Sequence, residues 1–283
     1  MTQLKYFLIL FFSIVVLASC SEESGLVAVE DLEFRSESNV SYGSDEDQVY
    51  DIYLPADRTF DTKVMIIIHG GGWRAGDKAD LDGYKDFIIE QQPDLAVVNM
   101  NYRLADDDNP PLPMQMNDIT AVVDHIRDNQ QEYQIGNDLG LLGASAGAHL
   151  SLLWSYVLDH RDQVRMVCSI VGPTNLADEA YLNSNNQALT DLFAPFGDTI
   201  EELEEVSPLH RADSNSPPTI LFYGGMDPLV PNSQGNDMNA RLEELGVEHE
   251  FTLYPNAGHG WTGNDLFDTA VKLKAFIEKH LLN

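Results

Sequence analysis

Apolar residues along this chain keep two alternating rhythms. Short apolar-rich runs occur at 49–54, 64–69, 95–101, 139–144, 165–171, 219–223 and 249–254. Longer segments between several of them carry apolar residues at three- and four-residue spacing. Residues 114–130 show this best, with Met116, Ile119, Val122, Val123 and Ile126 in register for one helix face. Segments 146–158, 233–245 and 266–281 are the other helix candidates. A strand that is apolar along its whole length must be covered on both faces. Alternation with helices therefore predicts an α/β fold with a mainly parallel central sheet and helices on both faces. Residues 173–218 break the rhythm, being rich in Asn, Asp and Glu with only short helical pieces. They are expected to form an insertion over the carboxyl edge of the sheet, placed as a lid or substrate wall before the strand at 219–223.

The first residues follow neither rhythm. Lys5 precedes an apolar run at 6–17 of signal-peptide length. That run is shorter than the roughly 18 residues a spanning helix needs. It ends in Leu17-Ala18-Ser19-Cys20, which resembles a bacterial lipoprotein signal. The resemblance implies removal of residues 1–19, lipidation of Cys20, and an exported protein held to a membrane on the periplasmic or cell-surface side. The alternative is an ordinary secretory signal cut nearby. Residues 20–45 are acidic and Ser-rich and read as a tether, leaving 46–283 as one domain.

Composition narrows the picture further. At 283 residues and 43% hydrophobic content, the chain suits one large domain. A formal net charge of -30 opposes nucleic-acid binding, because phosphates would be repelled. Of the 2 cysteines, Cys168 lies in an apolar strand and has no disulfide partner if Cys20 carries lipid. It reads as a small core residue.

Candidate chemistry sits where predicted strands end. Gly143-Ala144-Ser145-Ala146-Gly147 joins a strand to a helix, the context a nucleophile elbow requires. Its small flanking residues suit a sharp turn that lifts the serine oxygen above the sheet. After the strand at 64–69 comes His69-Gly70-Gly71-Gly72-Trp73, a Gly-rich loop whose amides can face a ligand and stabilise an oxyanion. Asp227 follows the strand at 219–223 directly, whereas Asp191, Asp198, Asp237 and Asp265 do not follow strands. His259, flanked by Gly258 and Gly260 after the last strand, is the histidine placed to work with Ser145 and Asp227. His69 is expected to hold its own loop, and His125, His149 and His280 to pack or face solvent on helices. Trp73 and Trp261 flank these loops as pocket walls or core residues. No metal-binding or dinucleotide pattern is present in the sequence, so no metal or cofactor is expected.

The order Ser145, Asp227, His259 resembles the α/β-hydrolase superfamily, within the esterases related to hormone-sensitive-lipase-like enzymes. The resemblance runs from about residue 45 to the end. It includes Tyr50–Pro55, His69–Trp73, Gly76–Lys78, Asn101–Leu104, Gly143–Leu150, Ser207–Leu209 and Gly258–Gly260. Ala144 before the serine, Gly147-Ala148 after it, and the lack of a predicted N-terminal helical cap depart from that group. They point to a neighbouring branch similar to bacterial acetyl and feruloyl esterases and kynurenine formamidases. The resemblance implies Ser145 as nucleophile, His259 as base, Asp227 as its orienting acid, and Gly71, Gly72 and Ala146 as oxyanion donors. The expected substrates are short acyl or aryl esters, such as acetylated or feruloylated plant polysaccharide. Formamide hydrolysis is the alternative chemistry, and a non-catalytic binding protein on this fold the alternative class.

Overall fold

The computed structural model describes residues 32–283. Eight strands form one sheet in the order β1-β2-β4-β3-β5-β6-β7-β8. They are β1 (Arg35–Ser41), β2 (Val49–Leu54), β3 (Val64–Ile68), β4 (Ala96–Met100), β5 (Leu139–Ala144), β6 (Val164–Ile170), β7 (Thr219–Gly224) and β8 (His249–Tyr254). β1 and β2 pair antiparallel, as do β2 and β4, and every other pairing is parallel. The long helices are α1 (Asp82–Gln91), α2 (Pro111–Asp128), α4 (Ala146–Val157), α9 (Asn232–Leu245) and α10 (Asn264–His280). A single turn, α3 (Gln130–Tyr133), follows α2.

Strand alternation sorts the core onto two faces. Val64, Ile66 and Ile68 of β3 pack with Met116, Ile119 and Val122 of α2 and Leu150 and Trp154 of α4. Met65 and Ile67, pointing the other way, pack with Ile88 of α1 and Leu273, Phe276 and Ile277 of α10. All five side chains of β3 are buried, which is why its sequence shows no polar alternation. This is an α/β-hydrolase architecture, as expected from the order of motifs.

Two elements differ from the sequence expectation. The tether predicted for 20–45 is not one along its whole length, since Arg35–Ser41 is strand β1. Before it, Leu32 O accepts from Asp57 N, and Glu33 O from Arg58 Nη1. β1 is an edge strand whose side chains are mostly exposed, so pairing with β2 forms it without any apolar signal. Helix α1 was not anticipated either, because Ile88 is its one fully buried apolar residue. The signal and lipidation reading at 1–20 lies outside the described residues.

The insertion consists of short pieces: α5 (Glu179–Leu182), α6 (Gln187–Phe193), α7 (Ile200–Glu205) and α8 (Pro208–Arg211). Buried Gln234 of α9 anchors its start. Its Oε1 accepts the N–H groups of Thr174 (2.7 Å) and Asn175 (2.8 Å), and its Nε2 donates to Asn175 O (3.0 Å) and Asp178 Oδ2 (2.8 Å). Ser207 closes the other end, accepting from Leu176 N (2.7 Å) and donating to Leu203 O (2.6 Å).

Candidate active site

Three loops leave the carboxyl ends of β5, β7 and β8, and each delivers one polar side chain to the same point. Ser145 has φ 52 and ψ -120, a strained conformation for a residue with a side chain. Its neighbours explain how the turn survives. A Cβ on Gly143 would lie 2.3 Å from Gly147 O, and one on Gly147 would lie 2.1 Å from Ile68 O. Ser145 N donates to Ile170 O (2.8 Å), tying the elbow to β6.

His259 Nε2 lies 3.0 Å from Ser145 Oγ, and its Nδ1 lies 2.7 Å from Asp227 Oδ2. The Asp227 side chain is almost fully buried, and its Oδ1 accepts the N–H groups of Leu229 (2.8 Å) and Val230 (3.0 Å). A carboxylate held this way accepts the Nδ1 proton, so the Nε2 lone pair faces the serine hydroxyl. The rival acids are engaged elsewhere or lie away: Asp191 accepts from Gln187 within α6, and Asp265 sits in the first turn of α10.

The loop after β3 forms the adjoining edge. His69 is buried, with Nδ1 2.7 Å from Gly70 O and its ring stacked on Tyr102 at 4.3 Å. Tyr102 Oη donates to His69 O (2.9 Å). Burial lowers the His69 pKa, keeping it a neutral brace for the loop. Gly71 has φ +111, and a Cβ there would meet Ala75 O at 1.9 Å, so only glycine fits this turn. The N–H groups of Gly71 and Gly72 donate no backbone hydrogen bond among the described residues. That of Ala146 heads α4, where first-turn amides have no partner within the helix. Gly71, Gly72, Ser145 and His259 line one cavity of about 620 Å³.

Both tryptophans serve as wall and packing at once. Trp73 lines the cavity, is 2% exposed, and donates from Nε1 to His149 Nδ1 (3.3 Å). Trp261 also lines the cavity and donates to Thr269 Oγ1 (2.8 Å) while packing on Tyr254. Buried Cys168 on β6 is pushed up in pKa by burial alone and lies in the core. No group of three or more potential metal ligands exists among the described residues.

The sequence anticipated the insertion as a wall of the site but not the individual residues that line it. Leu81 and Tyr84 come from the start of α1, and Tyr181, Leu189, Leu192 and Phe193 from the insertion. Nothing in their spacing marks them, since tertiary packing alone carries them to the cavity. Leu229 and Val230 could have been suspected from their position just after Asp227.

Comparisons with known proteins bear on the family and the fold. Esterase LipC of Mycobacterium tuberculosis is 26% identical over 254 residues, covering 82% of this chain and 60% of that protein. Isoprenylcysteine alpha-carbonyl methylesterase ICME of Arabidopsis thaliana is 24% identical, covering 81% of this chain and 56% of that one. The chain thus spans little more than half the length of these curated relatives. A solved structure described as a truncated carbohydrate esterase from gut microbiota superposes with a TM-score of 0.73 at 23% identity, covering 88% of this chain and 99% of the other. The family model BD-FAE matches residues 50–242, from β2 to α9 and across the serine elbow, the Gly-rich loop and the aspartate, and the chain belongs to that family.

Proposed function

We propose that this chain is a serine carboxylesterase working through an acyl-enzyme. The observation that carries the reading is the Asp227–His259–Ser145 relay, with contacts of 2.7 and 3.0 Å, at the floor of a cavity edged by glycine amides. Ser145 Oγ attacks the ester carbonyl while His259 Nε2 takes its proton. The amides of Gly71, Gly72 and Ala146 receive the negative charge on the carbonyl oxygen, where losing one donor typically costs about 100- to 1,000-fold in rate. His259 then passes the proton to the departing alcohol oxygen. Water, deprotonated by the same nitrogen, attacks the acyl carbon, and Ser145 leaves with that proton.

The cavity volume and its mostly aliphatic and aromatic walls support short acyl or aryl esters, such as those decorating acetylated or feruloylated plant polysaccharide. LipC and ICME, both esterases, agree in reaction class. Initial rates on an aryl acetate and on N-formylkynurenine, with Ser145→Ala as blank, test the reading. Acetate should be favoured, and Ser145→Ala should lower kcat by about 10⁴- to 10⁶-fold. Preference for the formamide would move the chain to amide hydrolysis, and silence on both would leave a binding protein.

We also propose that the chain is exported and anchored through lipidated Cys20, a reading supported by residues 5–20 of the sequence. Cys20→Ser should release the protein from the membrane fraction, and its retention there would refute the anchor.

A further inference from the structure

A second hollow of about 250 Å³ lies beside the cavity just described, walled in part by Leu176, Leu182 and Leu203. Tyr181 and Phe193 line both hollows, with ring centroids 4.4 Å apart. They form a thin partition, and its members are held differently. Phe193 sits at the end of α6, a helix with no buried residue, and leans edge-on against Trp73 at 5.9 Å. Tyr181 is 5% exposed, yet its hydroxyl is buried without a hydrogen-bond partner among the described residues. Neither residue belongs to the Gln234 and Ser207 contacts that fasten the insertion's base.

The direction of the partition follows from the proposed chemistry. In the tetrahedral intermediate the oxyanion points to the Gly71, Gly72 and Ala146 amides, and the leaving oxygen must lie near His259 Nε2. The alcohol portion therefore runs along the His259 side, past Trp261 and Leu266. The acyl substituent is left the wall beside the glycine loop. That wall is the insertion: a Cβ on Gly72 would come within 2.9 Å of Leu192, the residue before Phe193.

We propose that Tyr181 and Phe193 set the acyl-length limit of this site, closing off a second acyl subsite that their truncation opens. The proposal rests on the esterase reading above. It predicts that wild-type enzyme accepts 4-nitrophenyl acetate and butyrate and discriminates against the octanoate. The test is kcat/KM on these three esters for wild type, Phe193→Ala and Tyr181→Ala, with Phe193→Val as a milder variant should Phe193→Ala melt early. Each methylene that gains a buried berth contributes on the order of 3- to 4-fold. Opening the partition should therefore raise the octanoate-to-butyrate ratio by about 10-fold or more, chiefly through KM.

The partition alone is overturned by wild type taking octanoate as readily as butyrate, or by folded variants whose ratio stays within about 2-fold of wild type. A gain seen only when the alcohol of an acetate ester is lengthened overturns it too, since it would put the subsite on the His259 side. Undiminished butyrate hydrolysis by Ser145→Ala would instead bring down the esterase reading and the partition together.

Discussion

On the floor of the cavity, Ser145, Asp227 and His259 sit on turns that leave the sheet directly, the first two after the buried strands β5 and β7 and the third after the edge strand β8. Along the opposite wall, Tyr181, Leu189, Leu192 and Phe193 come from short helices joined by polar turns. Backbone contacts under 2.5 Å would await any Cβ placed on Gly143 or Gly147, so the floor has one available geometry. The wall has side chains resting on side chains, and the insertion is fastened by hydrogen bonds at Gln234, Ser207 and His149 rather than by the lining side chains of Tyr181, Leu189, Leu192 and Phe193. Chemistry needs fixed distances, and the proposed relay sits where the backbone has no choice. Selectivity needs only a surface of suitable shape, which a stitched-on segment can supply.

The largest expected effect falls on the floor. In Asp227→Asn the new amide can donate to His259 Nδ1, turning a protonated Nε2 towards Ser145. Steady-state kinetics should then show kcat down by about 10⁴-fold with the melting temperature little changed. A loss under about 10-fold would mean that another group orients the histidine. Next comes Gly147→Ala, whose Cβ has backbone oxygen in its place at 2.1 Å. Denaturant unfolding should show a loss of about 3 kcal/mol or more. A loss below about 1 kcal/mol would show the floor to be as yielding as the wall.

His149 joins the two regions, accepting from Trp73 and bonding through Nε2 to Val206 O (2.8 Å) in the insertion. Burial pushes its pKa down from 6.5 to about 4, so the folded chain keeps it neutral. The unfolded chain takes a proton below about pH 6.5, and stability is therefore intact above that value. It declines as pH falls towards about 4 and is lost in full there, by up to about 3 kcal/mol. Melting temperatures measured from pH 7 to 4 should fall less steeply in His149→Gln than in wild type. Equal slopes would show that the join bears no such penalty. The smallest effect belongs to the wall: Tyr181→Phe removes an unpartnered buried hydroxyl and should stabilise the protein by about 1 kcal/mol. Destabilisation would reveal a partner for that oxygen.

Legibility in the sequence follows the same division. Strands β2, β5 and β8 were readable to their ends: β5 is buried on both faces, β2 alternates buried and half-buried positions, and β8 is rich in aromatic and β-branched residues. The glycines around Ser145 were readable because they answer to local sterics. β1 was unreadable, since its edge position leaves Ser36, Ser38 and Asn39 exposed and Val40 as its one apolar residue. α1 was missed because so little of it faces the core.

Local chemistry therefore determined the α/β pattern, the serine elbow, the glycine loop, and the choice of Asp227 and His259 at strand ends. These features depend on turns and burial written within a few residues. The tertiary structure alone decided that the relay closes at 2.7 and 3.0 Å, that β1 joins the sheet, and that Tyr181 and Phe193 stand between two hollows. Each of these joins residues far apart in the chain, and their meeting is set by how helices and insertion pack on the sheet.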